Sequence, residues 1–241
     1  MQRFWSETGV REAGGEGFHV TLDGKPLALP GEGRLRVPAR LLAEAIAAEW
    51  SRVGETFEPR ELPLTQLAAT AYHRIAPNPA PTIEALARYA ESELLCYRAE
   101  RPESLIRRQA ESWQPWLAWA ERRFDAPLRV TQGLGFIPQP AASLAALRAA
   151  VAAFDAAGLA ALGVIVPALG SLVLGLAVME RALGAAEAQR LAELDALYQE
   201  ERWGTDSLAE ARRAHILGEI ETAYRFFALT RTPLSSAEIP S

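Results

Sequence analysis

Between residues 193 and 210 the chain carries six carboxylates, Glu193, Asp195, Glu200, Glu201, Asp206 and Glu210, against the single base Arg202. Their local balance of -5 equals the formal charge of the whole chain. On a helical wheel Glu193 and Glu200 lie opposite a stripe of Leu191, Leu194, Leu197 and Tyr198, whereas Glu201 falls inside that stripe and has to find a partner or stay in water. Such a segment suits a binding role. The alternative is a solvated helix face ending near Gly204, with Ser207 and Glu210 forming a capping box for the next helix.

Other chemistry-bearing residues form no constellation. His19, His73 and His215 are scattered, and only His215 and Glu219 share helical spacing, too little for a metal site. Cys96 lies near Arg98, but next to Leu94-Leu95 it reads as a buried small hydrophobe rather than a reactive thiolate. Gly14, Gly15 and Gly17 are followed by neither Lys-Ser/Thr nor a helix start, so they make no phosphate loop. There is no nucleophile elbow and no Ser-x-x-Lys. Trp113, Trp116 and Trp119 share one broad helix face around Pro115, which reads as core packing before it reads as a ligand cage, the alternative being a small-molecule enzyme with that face as its pocket. No catalytic residue, metal ligand, cofactor or small-molecule substrate is expected.

Composition sets the class. With 241 residues, 49% hydrophobic and 23% charged, the chain is typical of a folded protein of one or two domains. A single cysteine excludes an internal disulfide framework, and a pI of 5.4 argues against a nucleic-acid binder. Met1-Gln-Arg-Phe-Trp-Ser-Glu lacks the marks of a signal or transit peptide, so a cytoplasmic protein of bacterial type is expected. The run 156–179 has no charged residue and is long enough to cross a bilayer. Pro167 and Gly170 split it, however, and a buried helix-turn-helix is the preferred reading over a membrane-peripheral or inserted factor.

The elements that must position these residues are legible in outline. Phe18–Leu22 and Lys25–Leu29 alternate around Asp23-Gly24, a hairpin signal, and Leu35–Val37 offers another strand. A helix over about 38–52 covers that sheet. Further helices are expected over 65–75, 82–95, 104–124, 142–155, 156–165, 169–182, 185–202 and 207–228, while Val130 with Phe136-Ile137 could return to the sheet. The expected fold is α+β: a small α+β domain with a β-hairpin sheet over 1–62, a larger all-α helical domain over 63–230, and a disordered tail over 231–241.

Several motifs occur in a telling order. They are Leu22-Asp-Gly24, Glu49-Trp50, Pro63-Leu-Thr65, Glu93-Leu-Leu-Cys-Tyr-Arg-Ala99, Arg108-Gln109 with Trp113 and Pro115, Gly170-Ser-Leu-Val-Leu174, and Gln199-x-Glu-x-Trp-Gly-x-Asp206. Together they closely resemble the assembly chaperones that attend the α subunit of F1-ATPase, over about 4–225.

The resemblance implies a non-enzymatic chaperone that holds the F1 α subunit and masks its interface until it meets β. It also implies that Gln199, Glu201, Trp203, Gly204 and Asp206 are partner contacts, on an acidic surface supplying electrostatic selectivity. The chain departs from the pattern at Glu93, where Asp is expected, at His73-Arg74, where Asp-Arg is expected, and at Asp195-Ala196, where Asp-Glu is usual. The last departure bears on which acids make contact. Release by competition with the proper subunit needs no nucleotide, so an ATP-independent holdase is expected.

Overall fold

The computed structural model describes residues 1–231 except Glu16, Leu134 and Thr205. Residues 232–241, nearly all of the expected tail, lie outside the described residues. The chain divides into two compact units, one made of Met1–Pro77 with the chain from Arg225 on, the other of Asn78–Tyr224.

In the first unit, β1 (Thr8–Glu12), β2 (Phe18–Leu22) and β3 (Lys25–Pro26) form an antiparallel sheet in that order. The β2–β3 turn is Asp23-Gly24, whose φ values of 47° and 74° are those a tight two-residue hairpin turn demands. The Asp23 carboxylate also accepts the N–H groups of Ser6 (3.0 Å) and Glu7 (2.8 Å), and these donors hold its carboxyl below the usual range. β4 (Ala28–Leu29) and β5 (Gly33–Arg34) make a second small ladder, while the strand expected over 35–37 reduces to a bridge between Val37 and Phe18. Helix α1 (Arg40–Arg52) buries Leu42, Ile46 and Trp50 at four-residue spacing. The Trp50 ring packs against Trp5 and Phe57, with centroids at 5.0 and 5.8 Å.

Helix α2 (Pro63–Ala69), continued by a π-helical turn over Thr70–Ile75, belongs to this unit rather than to the helical one expected to begin at 63. Glu49 supplies the reason. Its carboxylate accepts the N–H groups of Leu64 (2.7 Å) and Thr65 (3.0 Å) and the Thr65 hydroxyl (3.0 Å), capping α2 from α1. Trp50 Nε1 donates to the same hydroxyl oxygen at 2.9 Å, so the Glu49-Trp50 and Pro63-Leu-Thr65 motifs are two halves of one joint.

The second unit contains α3 (Ala80–Ala87), β6 (Tyr97–Arg98), α4 (Glu103–Phe124), β7 (Thr131–Gln132) and α5 (Ala141–Ala152), followed by α6 (Ala156–Leu169), α7 (Leu172–Met179), α8 (Ala185–Ala192) and α9 (Leu194–Trp203). It also holds most of α10 (Ser207–Thr230). Three expectations are corrected. The helix expected over 82–95 gives way after α3 to separate 3-10 turns, because Glu93 leaves helical geometry with a ψ of 122°. The helix expected over 185–202 is two helices, broken at Glu193. The segment around Val130 does not join the N-terminal sheet: β7 pairs in parallel with β6, and Phe136 is exposed.

The uncharged run folds as the helical hairpin α6–α7, and no helix among the described residues is long and apolar enough to cross a membrane. Helix α6 passes through Pro167 and ends at Gly170, whose φ of 63° is the left-handed conformation that favours glycine at a helix end. Leu159, Leu162, Ile165, Leu172 and Leu174 are fully buried, each worth about 1.5–3 kcal/mol of burial. A Cβ at Gly175 would lie 2.6 Å from Val166 Cγ2, so the absence of a side chain there sets how closely the two helices approach.

Candidate partner-binding surface

Three of the seven singled-out motifs, those of Glu93, Gln109 with Trp113, and Ser171, hold the second unit together. Glu93, fully buried, accepts the Ser171 hydroxyl and the N–H groups of Leu172 (2.9 Å), Val173 (3.2 Å) and Leu95 (3.4 Å). It thereby joins its own motif to the Gly170–Leu174 motif at the start of α7. Burial pushes its carboxyl up to about 7 against the pull of these four donors. Neighbouring Cys96 is pushed up to about 12, first by burial and then by the charge of Glu93, so its thiol stays protonated at neutral pH.

A second knot fastens β6, α4, α8 and α9. Arg98 donates to the Gln109 carbonyl and lies over the Trp113 ring at 5.1 Å. The Gln109 side chain accepts the Ala99 N–H (2.7 Å) and donates to Asp195 (2.7 Å). Trp113 is buried and its Nε1 donates to the Leu191 carbonyl at 2.8 Å. Trp116 and Trp119 are half-buried and meet edge to face at 6.1 Å, so only Trp113 of the three is core.

The acidic segment is less free than its composition suggests. Arg108 grips Glu201 through two bonds of 2.8 Å, giving the carboxylate on the apolar stripe the partner it required and holding it below the usual range. Arg213 grips Glu200 at 2.7 and 2.8 Å, with Glu193 at 3.6 Å. Asp195 is taken by Gln109. The one base of the segment is also engaged: Arg202 lies over the Tyr198 ring at 4.1 Å and donates to Ser104 at 3.2 Å. Beside this cluster runs an open groove of about 650 Å³, lined among others by Pro102, Ser104, Arg107, Arg108, Tyr198 and Glu201.

The five expected contact residues lie together at the end of α9 and the start of α10. Gln199 accepts from Trp203 Nε1 at 3.3 Å, and Trp203 is 84% exposed. Gly204 turns the chain away with a φ of 93°. Asp206 accepts the Leu208 N–H at 3.0 Å, so it caps α10, while Glu210 feels Arg213 without closing an ion pair among the described residues. Leu208, 77% exposed, is a surface residue the sequence reading missed. Its available signal was a large apolar side chain five positions beyond Trp203, across a glycine and among acids.

Comparison with known proteins places this arrangement. The profile of the ATP12 chaperone protein family matches residues 2–121. Two crystal structures of Atp12 from Paracoccus denitrificans share 43% identity with the chain, at a TM-score of 0.89, covering 95% of it and 98% of theirs. A solved protein from Agrobacterium tumefaciens is 34% identical at a TM-score of 0.90, over 95% of this chain and 86% of that one. The mitochondrial protein atp12 of Schizosaccharomyces pombe is 27% identical over 218 residues, covering 85% of this chain and 74% of the yeast protein. The fold is thus that of an assembly chaperone. The chain belongs to the ATP12 chaperone family, the F1-ATPase assembly chaperones its motifs resemble.

Proposed function

We propose that this chaperone binds the F1 α subunit, rather than β, and covers its assembly interface until the two subunits meet. Gln199, Glu201, Trp203, Gly204 and Asp206 are its contact residues. One observation carries the site: Trp203, in the family motif, ends its helix 84% exposed, whereas the other motif tryptophans, Trp50 and Trp113, are buried. Release proceeds by competition, without ATP, because a β subunit of higher affinity displaces the chaperone by mass action. The protein acts in the cytoplasm, the compartment where its client is made.

Co-expression with tagged F1 α and β, followed by pull-down and size-exclusion chromatography with and without ATP, tests this. The expected result is recovery with α alone, independent of ATP, and loss of the complex when β is added. Equal recovery with both subunits, or with neither, would overturn the reading.

A further inference from the structure

We infer that the α9–α10 junction is an apolar docking knob, formed by Trp203 and Leu208, which takes a socket on the partner that is apolar inside and basic at its rim. The inference rests on the reading that this junction touches the client, and it reassigns what the contact is made of.

Trp203 is the last residue of α9 and Leu208 lies in the first turn of α10. They are 84% and 77% exposed, on either side of Gly204. Two large apolar groups held in water at one helix junction gain most by entering a concave apolar surface, and a tryptophan with few rotamers is the side-chain type that most often dominates such contacts. Gln199 limits the ring further through its bond to Nε1.

The acids around the knob are mostly engaged inside the chain. Glu193 and Glu200 face Arg213, Glu201 is held by Arg108, and Asp195 is held by Gln109. A partner cation that drew Glu200 or Glu201 away would leave an arginine uncompensated, so these carboxylates add little net attraction. The base Arg202 is likewise folded onto Tyr198 and Ser104. Asp206 and Glu210 are different. They flank Leu208 at two residues on each side, and neither closes an ion pair among the described residues. Exposed Arg212, four positions beyond Leu208 and likewise without an ion pair among the described residues, offsets one of them, so the leftover charge is complementary to a single lysine or arginine at the mouth of an apolar socket, and not to an extended basic face.

The test measures affinity of the full chain for purified F1 α, with F1 β alongside, between about 0.05 and 0.5 M NaCl. A docking knob predicts a salt-induced loss of no more than about fivefold, since screening touches only the rim. Trp203→Ala should weaken binding by at least about tenfold and Leu208→Ala by several-fold, with Trp203→Phe restoring most of the loss. Glu200→Gln, which touches only Arg213, should bind within about twofold of the parent. Thermal melts of each variant separate a binding loss from unfolding. If the parent captures α and both alanine variants bind as well as it does, or if salt weakens binding by more than about a hundredfold, the knob is overturned while the α-subunit reading stands. If the parent captures β instead and the alanine variants lose it, the knob stands and the α-subunit reading falls. If the parent captures neither subunit, both fall.

Discussion

The Glu93 carboxylate and the Ser171 hydroxyl, 78 residues apart in the chain, are hydrogen-bonded in the interior of the second unit, at the point where helix α7 begins. Ser171 in turn accepts the Leu174 N–H at 3.0 Å. One acid and one hydroxyl therefore satisfy three of the N–H groups that open a buried apolar helix, where water cannot.

That joint should make stability depend on pH. The Glu93 carboxyl is raised to about 7 in the folded chain, above its ordinary 4.5. A raised carboxyl binds its proton more tightly when folded, so its contribution is fully present below pH 4.5 and is lost as pH climbs through 7. A shift of this size corresponds to about 3 kcal/mol across the window. Glu49, raised in the same direction by burial, adds to the slope. Denaturant melts at pH 5 and pH 7.5 should show the parent losing stability with rising pH and Glu93→Gln losing most of that slope. An unchanged slope in the variant would show that Glu93 is not the titrating group.

Gly175→Ala should cost about 1–3 kcal/mol, because its Cβ would come within 2.6 Å of Val166 Cγ2 in a packed interior. Val166→Ala removes the obstructing methyl. The double variant should therefore be more stable than the sum of the two single losses, measured by urea unfolding. Strict additivity would contradict the close approach.

Trp113→Ala should cost about 3–5 kcal/mol through the cavity left by a buried ring. The Leu191 carbonyl also loses its donor and Arg98 the ring it lies over. Trp116→Ala, at a half-buried position, should cost clearly less in the same thermal melt.

How far these residues could be read from sequence depends on the reach of each contact. Local geometry was legible: Asp23-Gly24 marks its own hairpin, and the helix expected over 104–124 is α4 to within a residue. That the first unit runs on past residue 62 to Pro77 was not, because what binds α2 to α1 is a carboxylate of α1 meeting N–H groups 15 residues on. Nor were the partners of the acidic segment, since Arg108 and Glu201 are 93 positions apart and no periodicity connects them. Counting charges gave too strong an estimate of the segment's open charge, since Glu200, Glu201 and Asp195 are all engaged inside the chain.

Charge reversal at the surface should separate fold from capture. Glu201→Lys places a cation against Arg108 at an exposed site, so the melting temperature should change little, while recovery of F1 α falls because the new lysine and the freed Arg108 repel a basic rim on the partner. Asp206→Lys also removes the cap on Leu208 and should lower stability by about 1 kcal/mol in addition. Pull-downs and melts on the same preparations distinguish the two effects, and full capture by both variants would remove them from the contact set.

The order of synthesis gives the Glu93 joint a further meaning. Ribosomes make proteins from the N-terminus, so Glu93 emerges well before the uncharged stretch 156–179. When Ser171, Leu172 and Val173 follow, their acceptor is already made. An assembly chaperone thus carries, in an earlier part of its own chain, the acceptor that its most apolar segment needs once it folds.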